Sequence, residues 1–128
     1  MYEFNVTLDQ PYDQALETVK AALMEEHLGV VSDVDVQAIF KNKMGKEIPP
    51  YHILGACNPK LADRVISAEP NAGVLLPCNF IMREEDGKTV VSFMDPETIL
   101  DLTQTEEAKK VGREAKEILL RVVEKLKG

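Results

Sequence analysis

The sequence predicts an α+β fold: a single, mainly antiparallel five-stranded sheet with two long helices on one face. Three observations support this prediction. Short apolar runs typical of strands recur along the chain, beginning with the alternating run at residues 2–8. The sequence Glu85-Asp86-Gly87-Lys88 is typical of a tight turn between two strands. Long amphipathic helical patterns lie near both ends, and no linker, repeat or low-complexity segment divides the 128 residues, so we expect one domain over residues 1–128.

The first part of the chain predicts two strand–helix pairs. Tyr2–Leu8 alternates between apolar and polar side chains, which indicates a strand with one buried face. A helix opens at Pro11, and Gly29 is the expected left-handed residue beyond its end. Val30–Val36 predicts the second strand, and a short helix follows it and closes at Gly45. The apolar stripe of the first helix, at a period near 3.6, is Tyr12, Ala15, Leu16, Val19, Ala22 and Leu23.

The middle of the chain predicts two further strands and a helix between them. Tyr51–Cys57 indicates the third strand. Asn58 and Pro59 then predict a helix start, because Asn is a favoured N-cap and Pro suits the first helical position. Val74–Arg83 predicts the fourth strand, and Pro77 inside it implies an edge or a bulge.

The last part of the chain predicts a strand, a short helix and a long helix. Thr89–Met94 is the fifth strand, after the tight turn. Asp95 and Pro96 repeat the cap-plus-proline pattern and begin a short helix. Thr103 and Glu106 fit a capping box before the long helix. The apolar stripe of that helix is Ala108, Val111, Ala115, Ile118, Leu119, Val122 and Leu126.

Composition excludes several classes of function. Hydrophobic residues make up 45% of the chain and charged residues 29%, with a net charge of -7. An acidic chain without a basic patch argues against nucleic acid or an anionic membrane as a partner. No apolar run is long enough to span a bilayer, and the first residues lack the pattern of a signal peptide, so we expect the cytoplasm.

The only two cysteines each precede an asparagine, and these four residues are the candidate site: Cys57, Asn58, Cys78 and Asn79. Cys57 lies at the amino end of a predicted helix, where the macrodipole favours an anion such as a thiolate. The more conservative interpretation is a small, buried side chain at a strand end. Two cysteines and two histidines without metal-ligand spacing predict no metal, and we expect no cofactor.

Strand alternation predicts the direction in which Cys78, Asn79 and His52 point. Alternation places Cys78 with Phe80 and Met82, which favours a core cysteine unless a bulge redirects it. Asn79 has no structural role in this pattern, so it either faces solvent or serves a buried group or a ligand. His52 has the opposite strand parity to Cys57, which disfavours a Cys–His dyad and predicts a solvent-facing imidazole.

The segments around both cysteines resemble the domain of unknown function 302 family of bacteria and archaea. The similarity includes Tyr51–Pro59, Leu75–Asn79 and Asp95-Pro96, and the upstream residues 34–38 and 43–45 also fit. The resemblance implies an α+β architecture like that of the TATA-box-binding protein, without its DNA-binding function, and a homodimer. It implies no established reaction.

Two functions fit these observations. The first is a non-enzymatic module that binds a small ligand or a partner, with the two cysteine segments lining an apolar pocket. The second is thiol chemistry, as a thiol-dependent enzyme, a sulfur or acyl carrier or a redox sensor, with Cys57 as nucleophile and Cys78 as resolving thiol. The sequence leaves enzymatic activity open, and we favour the first function because no general base accompanies Cys57.

Overall fold

A computed structural model describes residues 1–128 and contains one five-stranded antiparallel sheet. Along the chain the strands are β1 (Glu3–Leu8), β2 (Gly29–Asp35), β3 (Tyr51–Cys57), β4 (Cys78–Glu85) and β5 (Lys88–Met94). Their order across the sheet is β1-β5-β4-β3-β2, so β1 and β2 are the edges. The α+β fold and the antiparallel sheet predicted from sequence are therefore confirmed.

Five α-helices and one 3₁₀ segment connect the strands. The helices are α1 (Tyr12–Glu25), α2 (Val36–Met44), α3 (Pro59–Ala68), α4 (Pro96–Leu100) and α5 (Glu106–Lys127), and the 3₁₀ segment is Pro70–Leu75. No helix is long and apolar enough to cross a membrane. The cap-plus-proline prediction is confirmed twice: Asn58 caps α3 and Asp95 caps α4, each by accepting two backbone N–H groups.

The main core lies between one face of the sheet and the two long helices α1 and α5. Leu54, Phe80 and Val91 project from neighbouring strands toward these helices and are almost fully buried. The apolar stripes of α1 and α5 supply the opposite side, including Val19 and Val122. Burying these stripes stabilises both helices against the sheet, as the sequence periodicity predicted.

A second, smaller core lies where α3, α4 and the 3₁₀ segment pack on the first half of α5. It contains Val65, Ala72, Leu100, Ala108 and Val111. Its packing depends on a close approach of α4 to α5 at Gly112. A Cβ added to Gly112 would lie 2.8 Å from the carbonyl oxygen of Pro96 and 3.0 Å from Leu100 Cβ.

Ionic contacts hold α3 and α4 against α5. Arg64 of α3 donates from two nitrogens to the Glu114 carboxylate, at 2.8 and 3.0 Å, and also pairs with Glu107. Asp95, whose side chain is only 1% exposed, faces Lys116 Nζ at 3.0 Å. This contact is an ion pair rather than an aligned hydrogen bond, because the Asp95 oxygen has no partner in hydrogen-bond geometry. Burial acts to raise the pKa of Asp95, but Lys116 and the capped N–H groups outweigh it and hold this pKa below its usual range.

The start of β4 corrects the sequence prediction. The chain forms the 3₁₀ segment over residues 70–75 where we expected strand, and β4 begins only at Cys78. Pro77 follows a cis peptide bond and precedes the strand instead of interrupting it. Since β4 lies between β3 and β5, it is not an edge, and every ladder position within it keeps an N–H group.

Two predicted helix ends are also corrected. His27, with φ 62°, takes the left-handed conformation after α1, whereas Gly29 begins β2. The cap of α5 is Thr105, which accepts the N–H of Ala108, and not Thr103. The carboxylate of Glu69 accepts hydrogen bonds from the N–H groups of Gln104 and Thr105, both at 2.9 Å. A residue outside α5 therefore holds the loop that leads into α5.

Candidate functional site

An apolar cavity lies between the two cores, at the end of the sheet where β3 stops and β4 starts. Its volume is about 40 Å³, and 12 of its 14 lining residues are hydrophobic. The amino end of α3 and the middle of α5 form its other walls. The lining residues are Leu28, Ala56, Cys57, Asn58, Leu61, Ala62, Leu76, Pro77, Cys78, Leu100, Val111, Ala115, Ile118 and Leu119.

Asn58 uses its side chain as a helix cap. Its Oδ1 accepts the N–H groups of Lys60 at 3.0 Å and Leu61 at 3.3 Å. The N–H of Ala62 bonds to the Asn58 carbonyl, and Pro59 has no N–H to offer. The backbone donors at the start of α3 are therefore occupied and offer no hydrogen bond to an anion at Cys57.

Cys78 begins β4 opposite Ala56 of β3. Its alternation with Phe80 and Met82 places it toward the helix-covered face, as predicted. Cys78 keeps some contact with solvent, yet burial of the thiol raises its pKa to about 11, with a smaller contribution from the charge of Cys57. At neutral pH this thiol is therefore protonated and is a poor nucleophile.

The two thiols share the cavity but not a strand face. Both cysteines are free. Ala56 pairs with Cys78, so Cys57 is one residue further along β3 and has the opposite parity. No histidine, carboxylate or lysine lines the cavity, so no side chain there can act as a general base.

Asn79 is separated from the other three candidates. It pairs with Gly55 on the uncovered face of the sheet, where it is exposed and lines a different groove. The structure thus brings Cys57, Asn58 and Cys78 together and places Asn79 elsewhere. A side chain at Gly55 would collide with the Pro77 ring and Ser32 Oγ, so this glycine lets Pro77 lie against the sheet.

His52 does not face solvent as expected. It lies on the helix-covered face with Leu54, its side chain is 19% exposed, and its ring packs 5.7 Å from that of Tyr12. Nδ1 lies 2.6 Å from Asp33 Oδ1, and Nε2 lies 3.9 Å from Asp35 Oδ2. His52 therefore links β3 to the edge strand β2 and lies outside the cavity lining. No group of three His, Cys, Asp or Glu side chains is arranged to hold a metal ion.

The cavity wall on α5 was absent from the sequence-predicted site. Ala115 and Ile118 were recognised only as part of an apolar helical stripe. The one signal in the sequence is the small size of Ala115 between larger apolar neighbours, which leaves space beside the helix. Small residues within such a stripe are common, so this signal predicts a cavity only once the sheet and α3 are in place.

Comparisons with known proteins agree on the family. The family model described as "Domain of unknown function DUF302" matches residues 4–126. The crystal structure of an uncharacterized conserved DUF302 protein from Bacillus stearothermophilus has a TM-score of 0.88 to this chain, with 23% sequence identity and 98% of each chain covered. At this identity the likeness shows the fold alone. No curated protein matches the chain. Since the family model covers nearly the whole sequence, the chain belongs to the DUF302 family.

Proposed function

We propose that this protein is a non-enzymatic module that binds a small apolar ligand in the cavity between its two cores. The observation that carries the proposal is the lining, which is almost entirely aliphatic and contains no acid or base. Binding sites for small molecules are commonly apolar, with a few polar groups that orient the ligand. Here Asn58 is the polar residue of the lining, and the thiols of Cys57 and Cys78 are weak hydrogen-bond donors near it.

The size of the cavity limits the ligand. A drug-sized molecule needs roughly 300–1,000 Å³, whereas this cavity holds about 40 Å³. One water-sized volume is roughly 10–15 Å³, so the cavity accepts about three such volumes. The ligand is therefore a molecule of a few heavy atoms or the end of an apolar chain.

Xenon under pressure tests whether the cavity accepts an apolar guest, because xenon enters dry apolar cavities. In methyl-labelled protein we expect saturating NMR shifts at Leu61, Ile118 and Leu119 and none at Val6, which lies in the main core. Ala115→Val adds two carbons inside the cavity and should abolish these shifts. Ala68→Val makes the same change at an exposed position of α3 and should leave them intact. Non-saturating shifts, or equal shifts in Ala115→Val, would refute the assignment.

The physiological ligand requires a separate measurement. Protein purified without denaturation should release an apolar compound on unfolding, detectable by mass spectrometry. Ala68→Val should release as much of it as the wild type, and Ala115→Val should release little. Equal release from both variants would show that the compound binds outside the cavity.

Thiol chemistry is the second candidate function, favoured by the presence of both cysteines in one cavity. It requires a reactive Cys57, since Cys78 is held protonated. If Cys57→Ser retains the apolar ligand and no thiol reacts at neutral pH in the folded protein, the thiol candidate fails and ligand binding stands alone.

We also propose that the protein is a cytoplasmic homodimer. Val34 and Ile53 are cross-strand partners on the uncovered face of the sheet, and their exposed fractions are 42% and 37%. A second copy placed over this pair would remove them from water. Light scattering should give twice the 14.3 kDa mass of one chain, and Ile53→Lys should give the monomer mass. A monomer mass for the unaltered protein at micromolar concentration would contradict the dimer.

A further inference from the structure

The other half of the uncovered face, formed by β4, β5 and β1, carries a groove distinct from the cavity. We infer that this groove is a second binding site, which takes an organic cation with an apolar body. The inference does not depend on the function proposed for the cavity. It also gives Asn79, which the cavity does not use, a place on a binding surface.

The groove has the dimensions of a small-molecule site. Its volume is about 570 Å³, within the range of roughly 300–1,000 Å³ that is usual for such sites. Two cross-strand rows form its floor: Ile81 with Ser92 and Asn5, and Arg83 with Val90 and Thr7. Tyr2 and Ile99 stand at its margin.

Apolar side chains provide a surface for the body of the ligand. Ile81, Val90 and Met94 lie in the groove, together with the ring of Tyr51. Half of the 14 lining residues are hydrophobic. The proportion differs from that of the cavity, where 12 of 14 are hydrophobic, and it suits a ligand with both apolar and charged parts.

The Glu3 carboxylate is oriented before any ligand arrives. Ser92 Oγ donates to Glu3 Oε1 at 2.6 Å, and Asn5 Nδ2 donates to the same oxygen at 3.0 Å. These two hydrogen bonds hold the pKa of Glu3 below its ordinary value, so the carboxylate is charged. The second oxygen, Oε2, has only a 3.4 Å contact with Asn5 and keeps acceptor capacity for a ligand N–H.

No basic side chain of the protein neutralises this carboxylate. None of the ion pairs in the chain includes Glu3. The one cation in the groove, Arg83, pairs with Glu85 at 3.0 Å. Two carboxylates and one guanidinium give the lining a net charge of minus one, which favours a cation.

Shape favours a ligand over a second copy of the chain at this position. A two-fold interface places the same patch of both copies face to face. Two concave grooves would then enclose an unfilled space and leave the Glu3 carboxylates desolvated without a cation, which is costly. A small organic cation would both fill the groove and pair with the Glu3 carboxylate.

Tryptamine is a suitable probe, because it joins an ammonium group to an apolar ring system. Titration into isotope-labelled protein should shift the backbone amides of Asn5, Asn79 and Met94 and leave those of Cys57 and Ile118 unchanged. Indole-3-propionate has the same ring with a carboxylate and should bind at least about fivefold more weakly.

Substitution of Glu3 tests the role of its carboxylate. Glu3→Gln keeps the size of the side chain and should weaken tryptamine binding by about fivefold or more. Glu84→Gln, on the same sheet but at an exposed position outside the groove, should leave it unchanged. Asn79→Ala, at an exposed position of the groove, should also weaken binding.

Three outcomes would overturn the inference. The first is an absence of shifts at groove residues up to about 10 mM tryptamine, which corresponds to a binding free energy weaker than about -3 kcal/mol. The second is equal binding of the anionic and cationic probes, or equal binding by Glu3→Gln. The third is that the groove amides shift on dilution of the protein alone, since a second copy would then occupy the groove.

Discussion

Gly112→Ala should destabilise the protein although alanine is the better helix former. In the middle of a helix this change is ordinarily stabilising by up to about 1 kcal/mol. Here the added Cβ would lie 2.8 Å from the Pro96 carbonyl oxygen and 3.3 Å from Glu97 Cα. Both are backbone atoms of α4, so α4 must move away from α5 as a unit. Overpacking of this kind costs about 1–3 kcal/mol, and the upper part of that range, about 2–3 kcal/mol, is expected where backbone atoms must move. After the helix gain of up to about 1 kcal/mol, the net loss is about 1–2 kcal/mol.

Urea unfolding, followed by circular dichroism, measures this loss. With a slope of about 2 kcal/mol per molar urea, in the middle of the usual range, the midpoint should fall by about 0.5–1 M. Gly29→Ala is the matched control, because an added Cβ there meets nothing within 4 Å and its φ is not positive. The control should be as stable as the original protein, within about 0.5 kcal/mol. An unchanged or higher midpoint for Gly112→Ala would refute the steric argument.

Three further predictions concern the thiols and the buried ion pair. In alkylation at pH 7.4, Cys57 should react first. Cys78, with a pKa near 11, should react at least about tenfold more slowly than a cysteine of ordinary pKa, because its small thiolate fraction is only partly offset by the greater nucleophilicity of that thiolate. Cys57→Ser should fold and lose the fast phase, and equal rates for both thiols would contradict this. Lys116→Met leaves the Asp95 carboxylate without its cation and should lower the urea midpoint, whereas Lys109→Met, which removes a lysine without a buried carboxylate partner, should change the midpoint little. Because the pKa of Asp95 is lowered on folding, its stabilising contribution is complete above the unfolded pKa of about 3.9 and is lost as the pH falls through the folded value. The stability lost between pH 6 and pH 2 should therefore be smaller in Lys116→Met than in the original protein. Parallel stability curves over this range would exclude a role of Lys116 in lowering the pKa of Asp95.

Helix positions were the most predictable part of the fold. The Asn58 and Asp95 caps are local features, since the side-chain acceptor and the N–H groups it binds lie within three residues. The long stripe of α5 repeats over several turns, and residues at both of its ends are buried as expected, from Ala108 to Leu126. Such signals require no knowledge of the rest of the chain.

The sequence predictions that the structure contradicts lie where long-range packing determines the structure. Val74 and Leu76 look like strand residues, but residues 70–77 pack beside α3 and α4, which no local pattern reveals. His52 looked solvent-facing because the sequence does not show that Asp33 of the neighbouring strand lies 2.6 Å from its ring nitrogen Nδ1. Both outcomes depend on residues distant in sequence.

Only part of the candidate site was predicted from the sequence, because the rest depends on long-range packing. Pairing of β3 with β4 brings the two cysteine segments together, as expected of neighbouring strands. The other half of the cavity comes from α5, about 40–60 residues away in the chain, and only the tertiary fold places it there. Asn79 was grouped with Cys78 by sequence adjacency, whereas alternation along β4 separates them onto opposite faces.

That alternation has a thermodynamic consequence. Cys78 lines the cavity and Asn79 lines the groove, so a single peptide unit belongs to both walls. If a guest on one side displaces this peptide, the opposite wall moves with it. Linkage then makes the effect reciprocal. If a guest in the cavity changes the affinity of the groove for a cation by some factor, the cation changes the affinity of the cavity for the guest by the same factor. Strand β4 would thus couple binding in the cavity to binding in the groove.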